Sequence, residues 1–470
     1  MNILFTASEA VPYSASGGLA DVIGSLPEAI SRKGHKCSVV IPLYSTIDKK
    51  IRSEMTFIKS ITVDVSWRKQ YCGIFKHTAG NVDYYFIDNE YYFNREGLYG
   101  FYDDCERFVF FDYAVLAMLK HIDFKPDIIH CHDWQTALIP VYHSIFCKHK
   151  PEFENIKTIF TVHNIEYQGR YGREVLGDVM GIPEHYVDIL EYDGYINMMK
   201  GAFETADYIT TVSPSYAWEI SDPWYSHGLD RIITGRHEHL RGILNGIDYD
   251  LYNPETDNLL AENFSAGNIS GKEICKKMLL AEQGLSEDNS PVIAIITRFV
   301  NHKGIDLIRC VFEEMVDMGI KFVILGSGIK IYEDVFREMS ARYPDRVSVT
   351  LGFRPELARK IYAGADMFLM PSRSEPCGLA QMIAMRYGTI PIVRETGGLR
   401  DSVRDDGNKD GNGFTFMSYN ANDMLDAVKR AVISYEDKKT WSELIGRAMK
   451  SDYSWNKSAD LYINLYNELV

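Results

Sequence analysis

The feature that most constrains the fold stands at the start of the chain: an apolar strand, a glycine-rich turn and an amphipathic helix, followed by a second apolar strand. Residues 2–7 read as the first strand. The loop 8–18 contains Pro12 and the pair Gly17-Gly18. Leu19, Val22, Ile23, Leu26 and Ile30 then recur at helical spacing over 19–32, and 37–43 reads as a buried strand. A βαβ unit of this kind opens a doubly wound parallel sheet.

The rest of the chain follows the same grammar. In the first half, 57–88 alternates like antiparallel strands, and strands at 127–130, 158–162 and 208–212 are separated by helices at 105–121 and 134–146 and a long helical region ending near 206. In the second half strands at 292–297, 322–325, 347–351, 367–370 and 390–393 alternate with helices at 305–318, 332–343, 355–363 and 378–387. The expectation is an α/β protein of two Rossmann-like, doubly wound domains: 1–245, 246–455, and a terminal helix 456–470 crossing back to the first. Two such sheets would leave an interdomain cleft at the carboxyl ends of their strands, where ligands bind in this architecture.

Composition narrows the function. The 470 residues carry 65 acidic and 50 basic side chains, a net charge of -15. That sign repels phosphate backbones, so no nucleic acid is expected, and it is compatible with a neutral sugar polymer. The longest apolar runs fall short of a membrane span, and the first residues lack a basic stretch and cleavage site, so a cytoplasmic protein without membrane partners is expected. Eight cysteines, none in C-x-x-C, suggest reduced thiols and neither zinc nor disulfides.

Several strand-end loops can carry chemistry. Gly17-Gly18, Gly326-Ser327-Gly328 and Thr396-Gly397-Gly398 precede helices, where backbone N–H groups can approach a phosphate; tight turns are the plainer reading. The loop after Ser16 is not G-x-G-x-x-G, so a nicotinamide dinucleotide is not indicated. Arg298 and Lys303 share one strand-to-helix loop and can hold a diphosphate, or, taken alone, are two solvated bases. Glu375 can accept from sugar hydroxyls or cap a helix. Cys377 reads as a packed residue. In His130-Cys131-His132-Asp133-Trp134 the histidines share a strand face, but a metal would need further ligands; Asp133 and Trp134 better suit a sugar. Asp248-Tyr249-Asp250 lies in a Gly/Asn/Pro stretch and reads as turn chemistry, and the aromatic run from Tyr84 to Tyr102 as either core or a glucan-stacking face.

Taken in order, these residues resemble the bacterial glycogen synthase and plant starch synthase family, over nearly the whole chain. The resemblance rests on Ser8-Glu9, Gly17-Gly18-Leu19-Ala20-Asp21, His132-Asp133-Trp134, Phe160-Thr161-Val162-His163-Asn164, Tyr167-Gln168-Gly169 and Thr211-Val212-Ser213-Pro214. It continues through Gly242-Ile243-Leu244-Asn245-Gly246, Arg298 with Lys303-Gly304, Ser372-Arg373 with Glu375-Pro376-Cys377-Gly378-Leu379, and Thr396-Gly397-Gly398-Leu399. It implies the GT-B fold and transfer of glucose, with retention, from ADP-glucose (or UDP-glucose) to the non-reducing end of an α-1,4-glucan, without metal or cofactor. It further implies that Arg298 and Lys303 stabilise the leaving diphosphate and that Glu375 and the His163 carbonyl face the transferred sugar. Gly17, Gly18, Asn245, Phe353, Cys377, Gly378, Leu379, Thr396, Gly397 and Gly398 would surround the donor, with Phe353 at the base. Asp21, Asp133 and Trp134 would lie on the acceptor side.

One position departs from the family pattern. Its first loop usually reads Lys-x-Gly-Gly-Leu, and here Ala15 stands for the lysine. This motivates a second reading, a catalytically weak glucan-binding or regulatory homologue. A phosphorylase would need a lysine-bound pyridoxal phosphate, for which the chain has no lysine signature.

Overall fold

The computed structural model describes residues 1–407 and 410–470. Its strands in chain order are β1 (Asn2–Thr6), β2 (Lys36–Pro42), β3 (Thr56–Val65), β4 (Arg68–Ala79), β5 (Val82–Asp88), β6 (Ile128–His132), β7 (Lys157–Val162), β8 (Arg170–Tyr171), β9 (Glu191–Tyr192), β10 (Tyr195–Asn197), β11 (Tyr208–Thr211), β12 (Leu240–Gly242), β13 (Val292–Phe299), β14 (Lys321–Gly328), β15 (Val347–Leu351), β16 (Met367–Met370), β17 (Ile390–Arg394) and β18 (Phe414–Phe416).

The chain divides into two compact units, Met1–Gly246 with Trp455–Val470, and Ile247–Ser454. The first is built on a sheet ordered β12-β11-β7-β6-β1-β2-β5-β4-β3. It is parallel from β12 to β5, and β4 and β3 extend it antiparallel. β1 sits inside it, buried from Ile3 to Thr6, as its uninterrupted apolar run requires of a central parallel strand. The helix Gly18–Ser31 buries Leu19, Val22, Ile23, Leu26 and Ile30, the stripe read from the sequence. The helix Trp455–Leu469 packs on it, tied by Lys33–Asp460 at 2.7 Å, Tyr466 Oη to His130 Nδ1 at 2.8 Å and Ser458 Oγ donating to the Leu244 carbonyl at 2.6 Å.

The second unit is a fully parallel sheet ordered β15-β14-β13-β16-β17-β18. Its apolar core strands carry no alternation because helices cover both faces.

Three local expectations change. The stretch before residue 206 is not one long helical region: β8, β9 and β10 form a small antiparallel sheet, and only Met198–Thr205 closes it as a helix. Asp193 and Gly194, at φ 52° and 77°, make the two-residue turn between β9 and β10, as an Asp-Gly pair favours. The expected helix 305–318 splits into Ile305–Cys310 and Phe312–Asp317, because β-branched Val311 leaves helical geometry at φ -123°, ψ 20°. Gly326-Ser327-Gly328 is not a phosphate loop but the last three residues of β14, paired with Thr297, Arg298 and Phe299. A Cβ on Gly326 would stand 2.0 Å from the Thr297 carbonyl oxygen, so glycine there lets the strand beside Arg298 close up. The aromatic run divides: Tyr84, Tyr85, Phe86, Tyr92 and Phe93 are core, while Tyr91 and Tyr102 are exposed. Asp248 Oδ1 accepts from the Asp250 and Leu251 N–H groups, a local turn.

Candidate active site

In the Ile247–Ser454 unit the neighbouring strands β13, β16 and β17 end on one sheet edge, and the loops they feed are stitched together. Lys303 Nζ lies 2.6 Å from Glu375 Oε2, and Ser372 Oγ donates to the same oxygen at 2.9 Å. The Arg373 N–H donates to the His302 carbonyl at 2.8 Å, and Arg394 donates from Nε to the Ser372 carbonyl at 3.1 Å and from Nη2 to that of Arg373 at 2.7 Å. Gly304 sits at φ 73°, where an added Cβ would be 2.1 Å from the Pro371 carbonyl oxygen. Its backbone is what lets the Lys303 loop reach the Glu375 loop.

The electrostatics follow from that contact. Burial alone would raise the Glu375 carboxyl, but the charge and hydrogen bond of Lys303, with Ser372, hold it below its ordinary value. Glu375 is therefore ionised, and it fixes the Lys303 ammonium in place. Arg298, exposed as the penultimate residue of β13 opposite Ser327, has no ion-pair partner among the described residues. An ammonium fixed by its carboxylate and a free guanidinium five residues before it, at the end of β13, make a surface suited to a polyanion such as a diphosphate.

The other residues of this unit expected around a donor divide. Gly378 is at φ 71°, its carbonyl accepting from Gln381 Nε2 at 2.8 Å, and Leu379 precedes the helix Ala380–Arg386. Cys377 is buried, and Phe353, beyond β15, is 90% exposed. Thr396, Gly397 and Gly398 pack beneath Glu375 rather than opening outward. The Gly398 N–H donates to the Glu375 and Pro376 carbonyls at 3.1 Å each, and a Cβ there would lie 2.0 Å from the Cys377 carbonyl oxygen. This corrects the expectation for Gly398: its N–H holds the Glu375 loop and is not presented to a phosphate.

In the other unit β1, β6 and β7 are neighbours, and the segments that follow them carry the remaining residues except Asn245, which follows β12. Asp133, at φ 58° just after β6, accepts at Oδ1 from the N–H groups of His163 at 2.7 Å and Asn164 at 3.4 Å, which sets the loop after β7. Trp134 packs edge-on against Phe108 and under Gly169. Asp21 is exposed in the first turn of Gly18–Ser31, and Gly17 and Gly18 are exposed before it. Asn245 is buried with no hydrogen-bond partner at Oδ1, an acceptor the fold itself leaves unused. The sequence reading missed the part played by Glu9, whose buried Oε2 accepts the Ser16 N–H and so anchors the glycine loop. An acidic residue in a strand-end loop beside paired glycines was the available signal.

His130 and His132 do not face a common ligand. His130 meets Tyr466 Oη at Nδ1 and Thr161 Oγ1 at Nε2, 2.8 and 2.6 Å, and His132 Nδ1 meets His163 Nε2 at 2.9 Å. Burial pushes His130 and His163 down to about 3, so the network is neutral.

Burial pushes the Asp133 carboxyl up to about 7, with Glu9 adding to the rise and the two backbone donors opposing it. An unfolded aspartate titrates at about 4. Between these values the unfolded chain loses a proton that the folded one keeps, so this group lowers stability as pH rises through the window and is level above it. Asp133→Asn removes that slope. The melting temperature of the variant minus that of the parent is expected to grow from pH 4 to pH 7 and then stay flat; a difference independent of pH would contradict the buried carboxyl.

The starch synthase catalytic domain model matches residues 2–235, and the glycosyl transferases group 1 model matches 278–445. The glycogen synthase of Alkaliphilus metalliredigens is 48% identical over 100% of both chains, and that of Geobacillus stearothermophilus 46% identical over 100% of this chain and 98% of its own. The catalytic domain of starch synthase IV from Arabidopsis thaliana, solved with ADP and acarbose bound, superposes with a TM-score of 0.93 at 35% identity, covering 99% of each chain. Sucrose-phosphate synthase from Thermosynechococcus elongatus, at TM-score 0.64 and 17% identity over 100% of this chain and 98% of its own, shares the fold alone. The two parallel α/β sheets are those of the GT-B fold. With strand-end loops, paired sheets and full-length likeness in agreement, this chain belongs to the starch and glycogen synthase family of glucosyltransferases.

Proposed function

We propose that the chain transfers glucose from ADP-glucose, with UDP-glucose as the alternative donor, to the non-reducing 4-hydroxyl of an α-1,4-glucan, with retention. The observation that carries this reading is the Lys303–Glu375 contact of 2.6 Å with the unpaired Arg298 on the same strand edge, in a chain of this family. The two cations stabilise negative charge as the nucleoside diphosphate departs, a contribution that needs no reorganisation because Glu375 already holds Lys303. Glu375 and the Gly378-Leu379 backbone border the transferred sugar. Phe353, exposed beyond Gly352, is free to stack on the base. The ADP held by the Arabidopsis enzyme supports a nucleoside diphosphate here, and its acarbose supports a sugar chain.

In the other unit the His163 carbonyl and the unused Oδ1 of Asn245 supply acceptors for sugar hydroxyls, and Asp133, Trp134 and Asp21 serve the acceptor. Departure of the diphosphate and attack by the glucan hydroxyl on the same face of the sugar give retention. Localisation in the cytoplasm fits a chain in which no described helix is long and apolar enough to cross a membrane.

A donor panel tests this directly: glycogen with ADP-glucose or UDP-glucose should gain glucose, and failure with both would overturn the reading. The full-length likeness to glycogen synthases gives the weak-homologue reading no support.

Ala15 makes a further prediction. It is exposed, Ser14 beside it is buried, and a Cβ on neighbouring Gly17 would meet nothing within 4 Å, so the loop has room for a long side chain. A charge-assisted contact is worth about 1.5–3 kcal/mol against ~1 for a neutral one. Ala15→Lys is therefore expected to strengthen donor binding by roughly 0.5–2 kcal/mol, a ~2- to 30-fold fall in donor KM. An unchanged or higher KM would show a pocket adapted to Ala15.

A further inference from the structure

We infer that Trp218 and Trp224 form a glucan-docking track that extends the acceptor side of the site, an inference resting on the glucan-transfer reading above. Both indoles are turned to solvent, 66% and 83% exposed, which is unusual for the largest apolar side chain. Among the described residues neither ring stacks on another ring nor makes a hydrogen bond through its indole Nε1–H, as distinct from the backbone N–H.

The segment that carries them is ordered. Ser213 Oγ accepts the Tyr216 N–H at 3.2 Å and caps the helix Pro214–Glu219, which holds Trp218. Asp222 Oδ1 accepts the Trp224 N–H at 2.8 Å, and its carbonyl accepts from Tyr225 and Ser226. Two exposed tryptophans are thus presented on an ordered backbone, so the main chain that carries them need not be ordered on binding.

The same segment is bolted to the loop that holds His163. The Ile165 N–H donates to Tyr216 Oη at 3.1 Å, and Gln168 Nε2 donates to the His227 carbonyl at 3.1 Å. Asp133 grips that loop at its other end, through the His163 N–H. Between them Tyr167 stands 55% exposed. Exposed aromatic side chains are therefore carried on segments fixed to the loop that Asp133 holds.

The chemistry of the occupant follows. An indole face packs on the apolar face of a glucose ring, and its N–H reaches a hydroxyl. The net charge of -15 disfavours an anionic polymer or lipid surface, and a neutral glucan carries no such penalty. A polymeric acceptor is longer than a transfer site, so a second foothold raises its effective concentration there.

The test compares Trp218→Ala, Trp224→Ala and the double variant with the parent enzyme, using glycogen and maltotriose as acceptors. The double variant is expected to raise the glycogen KM about tenfold or more and the maltotriose KM less than about twofold. Maltoheptaose should quench the fluorescence of the parent and lose most of that effect in the double variant. Equal glycogen KM values, or equal rises for both acceptors, would overturn the track. A parent dimer that the double variant dissolves in sedimentation would assign the indoles to a second copy of this chain and overturn it as well. A parent enzyme that glucosylates neither acceptor would instead remove the glucan-transfer reading.

Discussion

Alanine at Lys303 is expected to lower kcat at saturating donor by roughly 30- to 1,000-fold, and alanine at Arg298 to do the same. On the proposed reading each removes a cation that would meet developing charge on the leaving diphosphate, a loss of about 2–4 kcal/mol of transition-state stabilisation. The two variants should part company in stability. Arg298 is exposed and has no ion-pair partner among the described residues, so Arg298→Ala should stay within about 0.5 kcal/mol of the parent. Lys303 is the partner of a buried carboxylate, and its removal leaves the Glu375 carboxylate with the Ser372 hydroxyl and the weaker influence of His302.

The sign of the pH dependence follows. In the parent the Glu375 carboxyl lies below its ordinary value, so the pair contributes stability above the unfolded carboxylate range and loses it as pH falls through the folded value. Without Lys303 only the effect of burial opposes ionisation, so Lys303→Ala should cost more stability at pH 7 than at pH 4. Near-normal kcat in Arg298→Ala would sink the leaving-group role, because that variant has no folding defect to hide behind.

The second large effect is expected at Gly304. Its φ of 73° is unfavourable for any other residue by roughly 1–2 kcal/mol, and a methyl group 2.1 Å from the Pro371 carbonyl oxygen cannot be relieved by rotating a side chain. Gly304→Ala should cost roughly 2–4 kcal/mol of stability once the backbone clash is included. It should also cost activity, because the Pro371 and Lys303 segments must separate. A shift of about 1 Å in a positioned group can cost on the order of 100-fold in rate. Unfolding in urea and kcat on the folded enzyme measure the two separately. A variant with parental stability and rate would contradict the close packing of these loops.

Much of the architecture was legible in the residues. Apolar runs such as Ile3 to Phe5 and Phe322 to Leu325 are too short for helices and lie between turn residues, so the parallel strands stand out. What stayed hidden depended on neighbours distant in sequence. Gly326 to Gly328 looks like a loop by composition, and only pairing with Thr297 to Phe299 makes it strand. The Asp193-Gly194 hairpin was readable, but the strands beside it are too short to show a period. Among the site residues, the motifs placed Arg298, Lys303 and Glu375 on strand-end loops. No spacing rule could show that Lys303 meets Glu375, 72 residues away, or that Gly398 supports Glu375 from below.

The most direct test of glucosyl transfer by these charges is incorporation of labelled glucose from ADP-glucose into glycogen in excess EDTA, followed by digestion with β-amylase, which trims α-1,4 chains from their non-reducing ends. The cations of Arg298 and Lys303 are expected to sustain transfer under these conditions, and the label should be released as maltose. Label recovered only as free glucose, or label in glycogen that β-amylase does not release, would contradict transfer to the non-reducing 4-hydroxyl; loss of incorporation in EDTA would contradict a leaving group stabilised by Arg298 and Lys303 alone.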